Sequence, residues 1–450
     1  MLTESRCRKL TEKVLHSSKA DETECFIQST EKALTRFANN VIHQNVSESE
    51  NVLSIRVVVN NKMGRFTTNR LDSESILKAL ENATNIANLM QHEKDLLPML
   101  QPQTYRKISH YFLETASCDP MTRAKGVQSM ITAVRQNGLT AAGIFETGEN
   151  ALAFGNSNGH FCYYTGTEAA LSITVTGEDS SGYVFKTSPN ISELDLREAV
   201  QYVIRNTKQS TNPIEIPSGE YTAILEPQAV ANLIPFLLFD YVAGVSSFSG
   251  LGVEEKRSFL TDRLGHKVFG DNITIVDDVF HSQQKGPAFD FEGVPKKRVA
   301  LIENGIAKNL VYDRATAKRH GKVPTGHGLP LPNTYGSYPS NIVMDGGSST
   351  LEKMIQSTKK GILVTRFWYI RLVDSKRIIL TGTTRDGTFL IDNGEITHGI
   401  KNLRFNQSLI EMLNNVVEMT PPERTSDDDS ETVYVVPAMK VDRFRFTSST

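Results

Sequence analysis

Histidines are the first residues to consider, because histidine pairs at helical spacing bind zinc in many metallopeptidases. The chain has ten of them. His92-Glu93 begins like a zinc-binding HExxH motif, but Leu96 stands where the second histidine is required. His320 and His327 share a glycine-rich loop that offers no nearby cysteine or carboxylate. None of these spacings predicts a metal site.

Other catalytic patterns are equally weak. His266 and His281 flank Asp277-Asp278, a pattern more typical of a surface strand and turn than of a metal centre. Ser246–Gly250 is a flexible serine-rich turn with no evident base, and no GxSxG elbow occurs. No glycine-rich nucleotide motif is present. The acidic run Asp427–Asp429 is more typical of a solvated loop than of a cation site.

One stretch combines aromatic residues with arginines, from Gly361 to Glu395. Arginine side chains can hold a peptide carboxylate through paired hydrogen bonds. Tyr369, Arg371, Arg385 and Asp386 are therefore candidate peptide-binding residues. Arginines among aromatic residues are more often structural ion pairs, so both interpretations stay open.

The same stretch predicts a three-stranded antiparallel meander. Two β-branched and aromatic runs, Ile362–Val373 and Arg377–Thr383, flank the polar turn Asp374–Lys376. A third run, Thr388–Ile391, follows Asp386-Gly387, which we interpret as the second turn. The candidate residues would then lie on neighbouring strands.

The first half of the chain predicts an α+β domain over residues 1–210, with an antiparallel sheet covered by helices on one face. An amphipathic helix at Glu4–Ser18 precedes short strands such as Glu24–Ser29 and Leu34–Phe37, and Asp72 caps a second helix. A similar order recurs about 120 residues later. An internal repeat and a chance likeness explain this recurrence equally well.

The second half predicts a mainly antiparallel β-rich domain over residues 219–450, so the fold class is α+β. The proline-containing segment Ser210–Ser218 is typical of a linker. Pro227 begins a helix that runs to about Val242 and is apolar on almost every side. Such a helix must be buried on almost every side.

Composition limits the function classes. The 450 residues are 39% hydrophobic with a formal net charge of -2, which gives no indication of a nucleic-acid partner. The longest apolar run, Leu233–Phe239, is too short to span a membrane, and the N-terminus lacks the apolar core of a signal peptide. The four cysteines are scattered, as in a reducing compartment. We therefore expect a cytoplasmic protein.

A set of local segments in the second half resembles the TldD/PmbA family, once called modulators of DNA gyrase. The segments that carry the resemblance are Lys256–Gly265, Ile273–Asp278, Phe289–Val294, Leu301–Gly305, Pro324–His327, Gly361–Thr365 and Ile391–Ile396. Their order covers roughly Gly219 to Phe446. The resemblance implies a peptidase system of paired subunits that takes unfolded or extended peptides.

In that family the zinc-bearing subunit carries HExxxH on a buried helix and a cysteine close to its C-terminus. Here the corresponding segment, Pro227–Gly244, holds no histidine, and no cysteine follows Cys162. The chain thus resembles the PmbA (TldE) branch, with no metal or other cofactor of its own and zinc expected in a TldD-like partner subunit. A homodimer is also possible in this family, and His327 joins the candidate peptide-binding residues.

Two alternatives stay open at this point. The chain could be an independent peptidase or hydrolase with a site around Tyr369–Asp386. It could also be a peptide-binding scaffold without enzymatic activity.

Overall fold

A computed structural model describes residues 1–93, 96–427 and 432–449. Asp428 and Asp429 of the acidic run lie outside the described residues. The helices are α1 (Glu4–Ser17), α2 (Ser73–Leu89), α3 (Leu113–Ala116), α4 (Pro120–Gln136), α5 (Leu196–Gln209), α6 (Pro227–Leu238), α7 (Gly250–Glu254), α8 (Arg314–Arg319), α9 (Leu351–Gln356) and α10 (Leu409–Asn414).

The strands of the first half are β1 (Glu22–Ala38), β2 (Val41–Val59), β3 (Lys62–Thr68), β4 (Thr140–Asn156), β5 (Phe161–Thr176) and β6 (Ser181–Ser188). Those of the second half are β7 (Gly219–Leu225), β8 (Phe239–Asp240), β9 (Val245–Ser246), β10 (Ile275–Asp277), β11 (Val299–Glu303), β12 (Ile306–Ala307), β13 (Ile342–Met344), β14 (Lys360–Asp374), β15 (Ile379–Asp392), β16 (Glu395–Gly399), β17 (Leu403–Ser408), β18 (Val416–Met419), β19 (Glu423–Ser426), β20 (Val433–Val436) and β21 (Met439–Ser449).

The first sheet has the order β3-β2-β1-β4-β5-β6 and is antiparallel throughout. It consists of two three-stranded meanders joined where β1 pairs with β4, and each meander lies between two helices in the chain. Cys25 and Ile27 of β1 point into the core beneath α1 and α2. Because side chains alternate along a strand, Phe26 and Gln28 point to the opposite face.

The short strands expected in this half are wrong in their extent. β1 runs unbroken through both predicted strands, and β2 does the same from Val41 to Val59. Thr30–Lys32 lie between the two expected strands and pair continuously with β2 on one side and β4 on the other. Hydrogen bonding to two neighbours therefore outweighs the weak strand propensity of the polar residues.

The second half contains two further sheets. One has the order β12-β11-β10-β13-β20-β19. In the other, β14 pairs with both β7 and β15, which closes β14, β7, β21, β17 and β15 into a ring. Phe367, Phe405 and Phe444 pack against one another within this sheet. The α+β fold class is confirmed, while the domain limits at residues 210 and 219 stay a prediction.

Helix α6 is shorter than expected but as buried as expected. It ends at Leu238, and Phe239-Asp240 then pairs with Val245-Ser246 in a small hairpin. Pro235 lies inside the helix, and Phe239 is already extended. No helix in the described part of the chain is both long and apolar enough to cross a membrane.

The predicted meander exists, but its third strand was wrongly placed. Thr388–Ile391 continues β15, and the third strand is β16. Asp386 and Gly387 have φ values of 55° and 136°, so they form a bulge opposite Thr365 rather than a turn. A bulge bends the strand but does not reverse it, so both segments stay paired with β14.

Candidate functional site

A cavity of about 660 Å³ lies between the first sheet and the second. One wall is the helix-free face of the first sheet, with Phe26, Gln28 and Leu152 among its residues. The other wall comes from loops of the second half, with Lys296 and His327. We call this cavity the interdomain chamber. It combines apolar walls with a few polar groups, as ligand sites commonly do.

The polar groups of the chamber gather where strand β10 ends and its two neighbours, β11 and β13, begin. We call this end of the strands the chamber edge of the second sheet. Asp277, the last residue of β10, pairs with Val299 at the start of β11 and with Ile342 at the start of β13. Residues just before those starts therefore lie beside Asp277. They include Lys296, Ser340 and Asn341.

His327 and Asp277 form a buried hydrogen-bonded pair at this edge. His327 Nε2 donates to Asp277 Oδ1 at 2.8 Å, and Nδ1 lies 2.9 Å from Thr325 Oγ1. The backbone N–H of Asn341 donates to Asp277 Oδ2 at 2.8 Å. Burial acts to raise the pKa of Asp277, but His327, the charge of Lys296 and the Asn341 hydrogen bond together outweigh it and lower the pKa. Both ring nitrogens of His327 are engaged, so His327 fixes the edge rather than serving as a free base.

Lys296 carries the largely buried amine of the chamber. Its Nζ lies 2.7 Å from Asn341 Oδ1 and 2.9 Å from Ser340 Oγ. Burial lowers the pKa of Lys296, and the negative charges of Asp277 and Asp290 oppose that effect only in part. Among the described residues, no carboxylate oxygen lies within ion-pair distance of Nζ.

Two buried carboxyl groups lie beyond the lysine. Asp290 accepts backbone hydrogen bonds from Gly328, Glu292 and Val294, at 2.7 to 2.9 Å. Burial nevertheless raises the pKa of Asp290 and of Glu292, and the negative charge of Asp290 adds to the effect on Glu292. Arg314, 3.9 Å from Glu292, offsets this only in part.

Asp386 of the predicted site joins the two halves of the chain. Its Oδ1 accepts a 2.7 Å hydrogen bond from Ser181 Oγ on β6, and its Oδ2 lies 3.5 Å from both Arg366 and Arg385. The Arg366 guanidinium stacks 3.9 Å from the ring centre of Tyr183. Asp386 is therefore an anchor of the contact between the first and third sheets.

The other three candidates of that stretch lie at the surface. Tyr369 is 68% exposed, and the Arg371 guanidinium lies 4.1 Å from its ring centre. Arg385 stacks on Trp368 at 4.7 Å. The chamber wall contains His327 but none of these residues or Asp386. The five candidates thus occupy two separate places, and peptide binding by the group at β14 and β15 stays a prediction.

Sequence reasoning missed Lys296 and Ser340. They are far apart in the chain and belong to no recognised motif. The one usable signal was their position just before short apolar strands, where loop residues collect at a sheet edge.

The positions where zinc would be expected do not suit zinc. The described side chains of α6 include no histidine, and Ala229, Val230, Leu233 and Ile234 are buried in the core. Among the described residues, no three His, Cys, Asp or Glu side chains gather as a metal site requires. Zinc needs three or four such donors. No chemical step is therefore assigned to a metal in this chain.

Comparison with known families matches nearly the whole chain. Residues 218–448 match the PmbA/TldA metallopeptidase C-terminal domain, residues 23–87 match domain 1, and residues 115–211 match the central domain. Metalloprotease PmbA of Escherichia coli is 24% identical over 95% of this chain and 93% of its own length. An uncharacterised protein of Methanocaldococcus jannaschii is 28% identical, but the match spans 61% of this chain and only 63% of that protein.

Solved structures share the fold. TldE from Thermococcus kodakarensis superimposes with a TM-score of 0.87 at 21% identity, covering 98% of this chain and 99% of its own. A Thermotoga maritima protein named for modulation of a DNA gyrase gives a TM-score of 0.86 at 18% identity, covering 98% of this chain and 100% of its own. At these identities the likeness establishes the fold alone.

Proposed function

The chain belongs to the PmbA/TldD metallopeptidase family, and from that premise we propose that it is a metal-free subunit of a TldD/TldE-type peptidase complex. Its partner is a zinc-bearing TldD-like subunit, and its substrate is an unfolded or extended peptide. The complex works in the cytoplasm. The observation that carries the proposal is helix α6, which fills the expected metal position with buried apolar side chains.

The interdomain chamber supports a role in holding peptide. Its volume of about 660 Å³ suits a short extended segment, and one wall is a broad sheet face. That wall presents apolar residues such as Phe26 and Leu152 between polar ones such as Gln28 and Asn150. Alternating pockets of this kind suit the alternating side chains of an extended chain.

Co-purification tests the partnership. The chain is expressed with a zinc-bearing TldD-like subunit from the same genome, and hydrolysis of a disordered fluorescent peptide is measured for each protein and for the mixture. We expect a stable complex whose hydrolysis requires the partner and is lost with a chelator. No association at micromolar concentrations, or full chelator-sensitive activity of this chain alone, would overturn the proposal.

A matched pair of variants tests the chamber. Gln28→Trp places an indole on the chamber wall, whereas Gln44→Trp places one on the exposed part of β2. Both variants are expected to bind the partner, but only Gln28→Trp should lower peptide hydrolysis, by about tenfold or more. Equal activity of the two variants would show that peptide does not pass through the chamber.

A further inference from the structure

We propose that Ser340 and Lys296 form a nucleophile and general-base pair that cleaves ester or amide carbonyl groups held in the interdomain chamber. This activity is additional to the proposed peptidase complex, because it needs neither zinc nor the partner subunit. The activity takes place in the chamber where we propose that peptide is held, but it depends on the side chains of Ser340 and Lys296 rather than on the zinc of the partner subunit.

The distance between the two side chains suits proton transfer. Lys296 Nζ donates to Ser340 Oγ at 2.9 Å, and the hydroxyl donates to Asn341 Oδ1 at 3.2 Å. Once Nζ has lost a proton, the same 2.9 Å is within the range expected of a base and its nucleophile. Both residues line the chamber, and Ser340 is only partly buried. A carbonyl group in the chamber can therefore reach the hydroxyl.

A third residue holds the amine in place, as nucleophile and base pairs require. Asn341 Oδ1 lies 2.7 Å from Lys296 Nζ. The Asn341 amide is itself fixed, since its Nδ2 donates to the carbonyl of Lys285 at 2.7 Å and to Gln284 Oε1 at 3.2 Å. Its backbone N–H is held by Asp277. The lysine head is thus oriented by an amide oxygen, which carries no full charge.

A general base must be neutral, and the surroundings of the amine make loss of its proton easier than for an exposed lysine. Burial is the largest influence on the pKa of Lys296 and lowers it. The charged groups that face the amine are Asp277 at the end of β10 and Asp290 in the loop between β10 and β11. Among the described residues, neither lies within ion-pair distance of Nζ. Asp277 is already engaged by His327 and Asn341. Lysine bases in other enzymes are activated by burial in the same way.

The backbone of Lys296 is equally constrained. Its N–H donates to the carbonyl of Ala288 at 2.9 Å. Gly326 packs so closely that a Cβ there would lie 2.5 Å from the Lys296 Cα, and the φ of Gly326 is +79°. A glycine is needed at this point so that the loop before His327 can press against Lys296. The base therefore stands on a rigid support, which favours catalysis.

The reaction balances without any further cofactor. Ser340 Oγ attacks the carbonyl carbon while its proton moves to the neutral Nζ of Lys296. The tetrahedral intermediate expels the alcohol or amine, which takes that proton from Nζ and leaves an acyl ester on Ser340. Water then attacks the ester, Nζ again takes a proton, and release of the acid returns it to Ser340 Oγ.

Labelling with a fluorophosphonate tests the pair directly, with the chain alone and a chelator present. The probe phosphonylates serine hydroxyl groups that a base activates, and mass spectrometry of peptides locates the label. We expect one label on Ser340, none on Ser340→Ala, and labelling about 100-fold slower in Lys296→Met. Ser337 is the internal control, because it is buried and its Oγ donates to the Val311 carbonyl at 2.8 Å.

Lys296→Arg separates a base from a positioning residue. Arginine can still donate hydrogen bonds, but its charge is fixed, so it cannot accept a proton at neutral pH. We expect Lys296→Arg to label as slowly as Lys296→Met, with circular dichroism spectra like that of the unsubstituted chain. The labelling rate of the unsubstituted chain should rise with pH and reach its plateau at a pH below the ordinary pKa of lysine.

Two results would overturn the pair. One is the absence of label on Ser340 between pH 6 and pH 10, and the other is labelling of Lys296→Met or Lys296→Arg at the unsubstituted rate. If partner-dependent peptide hydrolysis persists without Ser340 labelling, the dyad fails and the complex stands. If Ser340 is labelled but no partner subunit binds, the dyad stands and the proposed complex fails.

Discussion

Replacing Glu24 with glutamine should strongly destabilise the first half of the chain. Glu24 Oε2 lies 2.6 Å from Arg56 Nη2, and Oε1 lies 3.0 Å from Arg65 Nη2. The side chains of Glu24 and Arg56 are 6% and 2% exposed. Glu24→Gln would leave the guanidinium groups of Arg56, which is 2% exposed, and Arg65, which is 16% exposed, without their carboxylate.

The expected loss follows from burial. Removing one partner of a buried ion pair typically costs about 3 to 5 kcal/mol of the free energy of unfolding, because the remaining charge stays desolvated. The pair Arg8–Glu4 has a similar separation of 3.1 Å but side chains that are 50% and 57% exposed. Exposed pairs of this spacing contribute only about 0.3 to 0.5 kcal/mol. Burial, not distance, should decide the difference.

Urea denaturation followed by far-ultraviolet circular dichroism measures the effect, with Glu4→Gln as the matched control. Arg56→Met and the double variant Glu24→Gln/Arg56→Met complete a double-mutant cycle. We expect each single substitution at the buried pair to cost several kcal/mol and the double variant to cost less than their sum, because it leaves fewer unpaired charges.

The pH dependence gives a second check on the same residue. Burial tends to raise the pKa of Glu24, but Arg56, Arg65 and Arg314 lower it below the ordinary value. Its stabilisation is therefore present above the ordinary glutamate pKa and is lost as the pH falls through the lowered value. A loss of stability in Glu24→Gln no larger than that in Glu4→Gln, or an unchanged acid transition, would refute this role for Glu24.

Three further predictions rest on single residues. Burial raises the pKa of Glu226 from 4.5 to about 7, so stability should fall as the pH rises through that interval. Glu226→Gln should remove this pH dependence. In urea titrations, its free energy of unfolding relative to the unsubstituted chain should be up to about 3 kcal/mol higher at pH 8 than at pH 5. Gly326→Ala should cost at least about 2 kcal/mol in thermal unfolding, against about 1 kcal/mol for Gly321→Ala, which has a similar φ but open space around it. Ellman's reagent should titrate one thiol per native chain, at Cys118. Burial raises the pKa of the other three thiols, to about 11 for Cys7 and about 12 for Cys25 and Cys162.

The sequence predicts the elements of this fold better than their limits. The apolar helix from Pro227 was identified and correctly expected to be buried, since no polar face was available to solvent. Asp386-Gly387 was wrongly interpreted as a turn, because aspartate and glycine favour both turns and bulges. Only pairing with β14 decides between the two, and pairing over that distance is not visible in local sequence.

The candidate site was predictable only in part. His327 lies in a segment that the family resemblance brought forward, and the structure places it in the chamber wall. Lys296 and Ser340 came together through the register of β10, β11 and β13, each of which has only three to five residues. Strands this short give no reliable pattern in sequence, so the contact between their loops could not be anticipated.

The seam between β1 and β4 decides how the two meanders of the first sheet hold together. Fourteen residue pairs join the two meanders there, from Glu24–Asn156 to Phe37–Gly143. A single meander with its two helices would expose that whole strand edge, and a second copy in antiparallel orientation would cover it. Fragments cut between α2 and α3 should, by the same logic, reassociate.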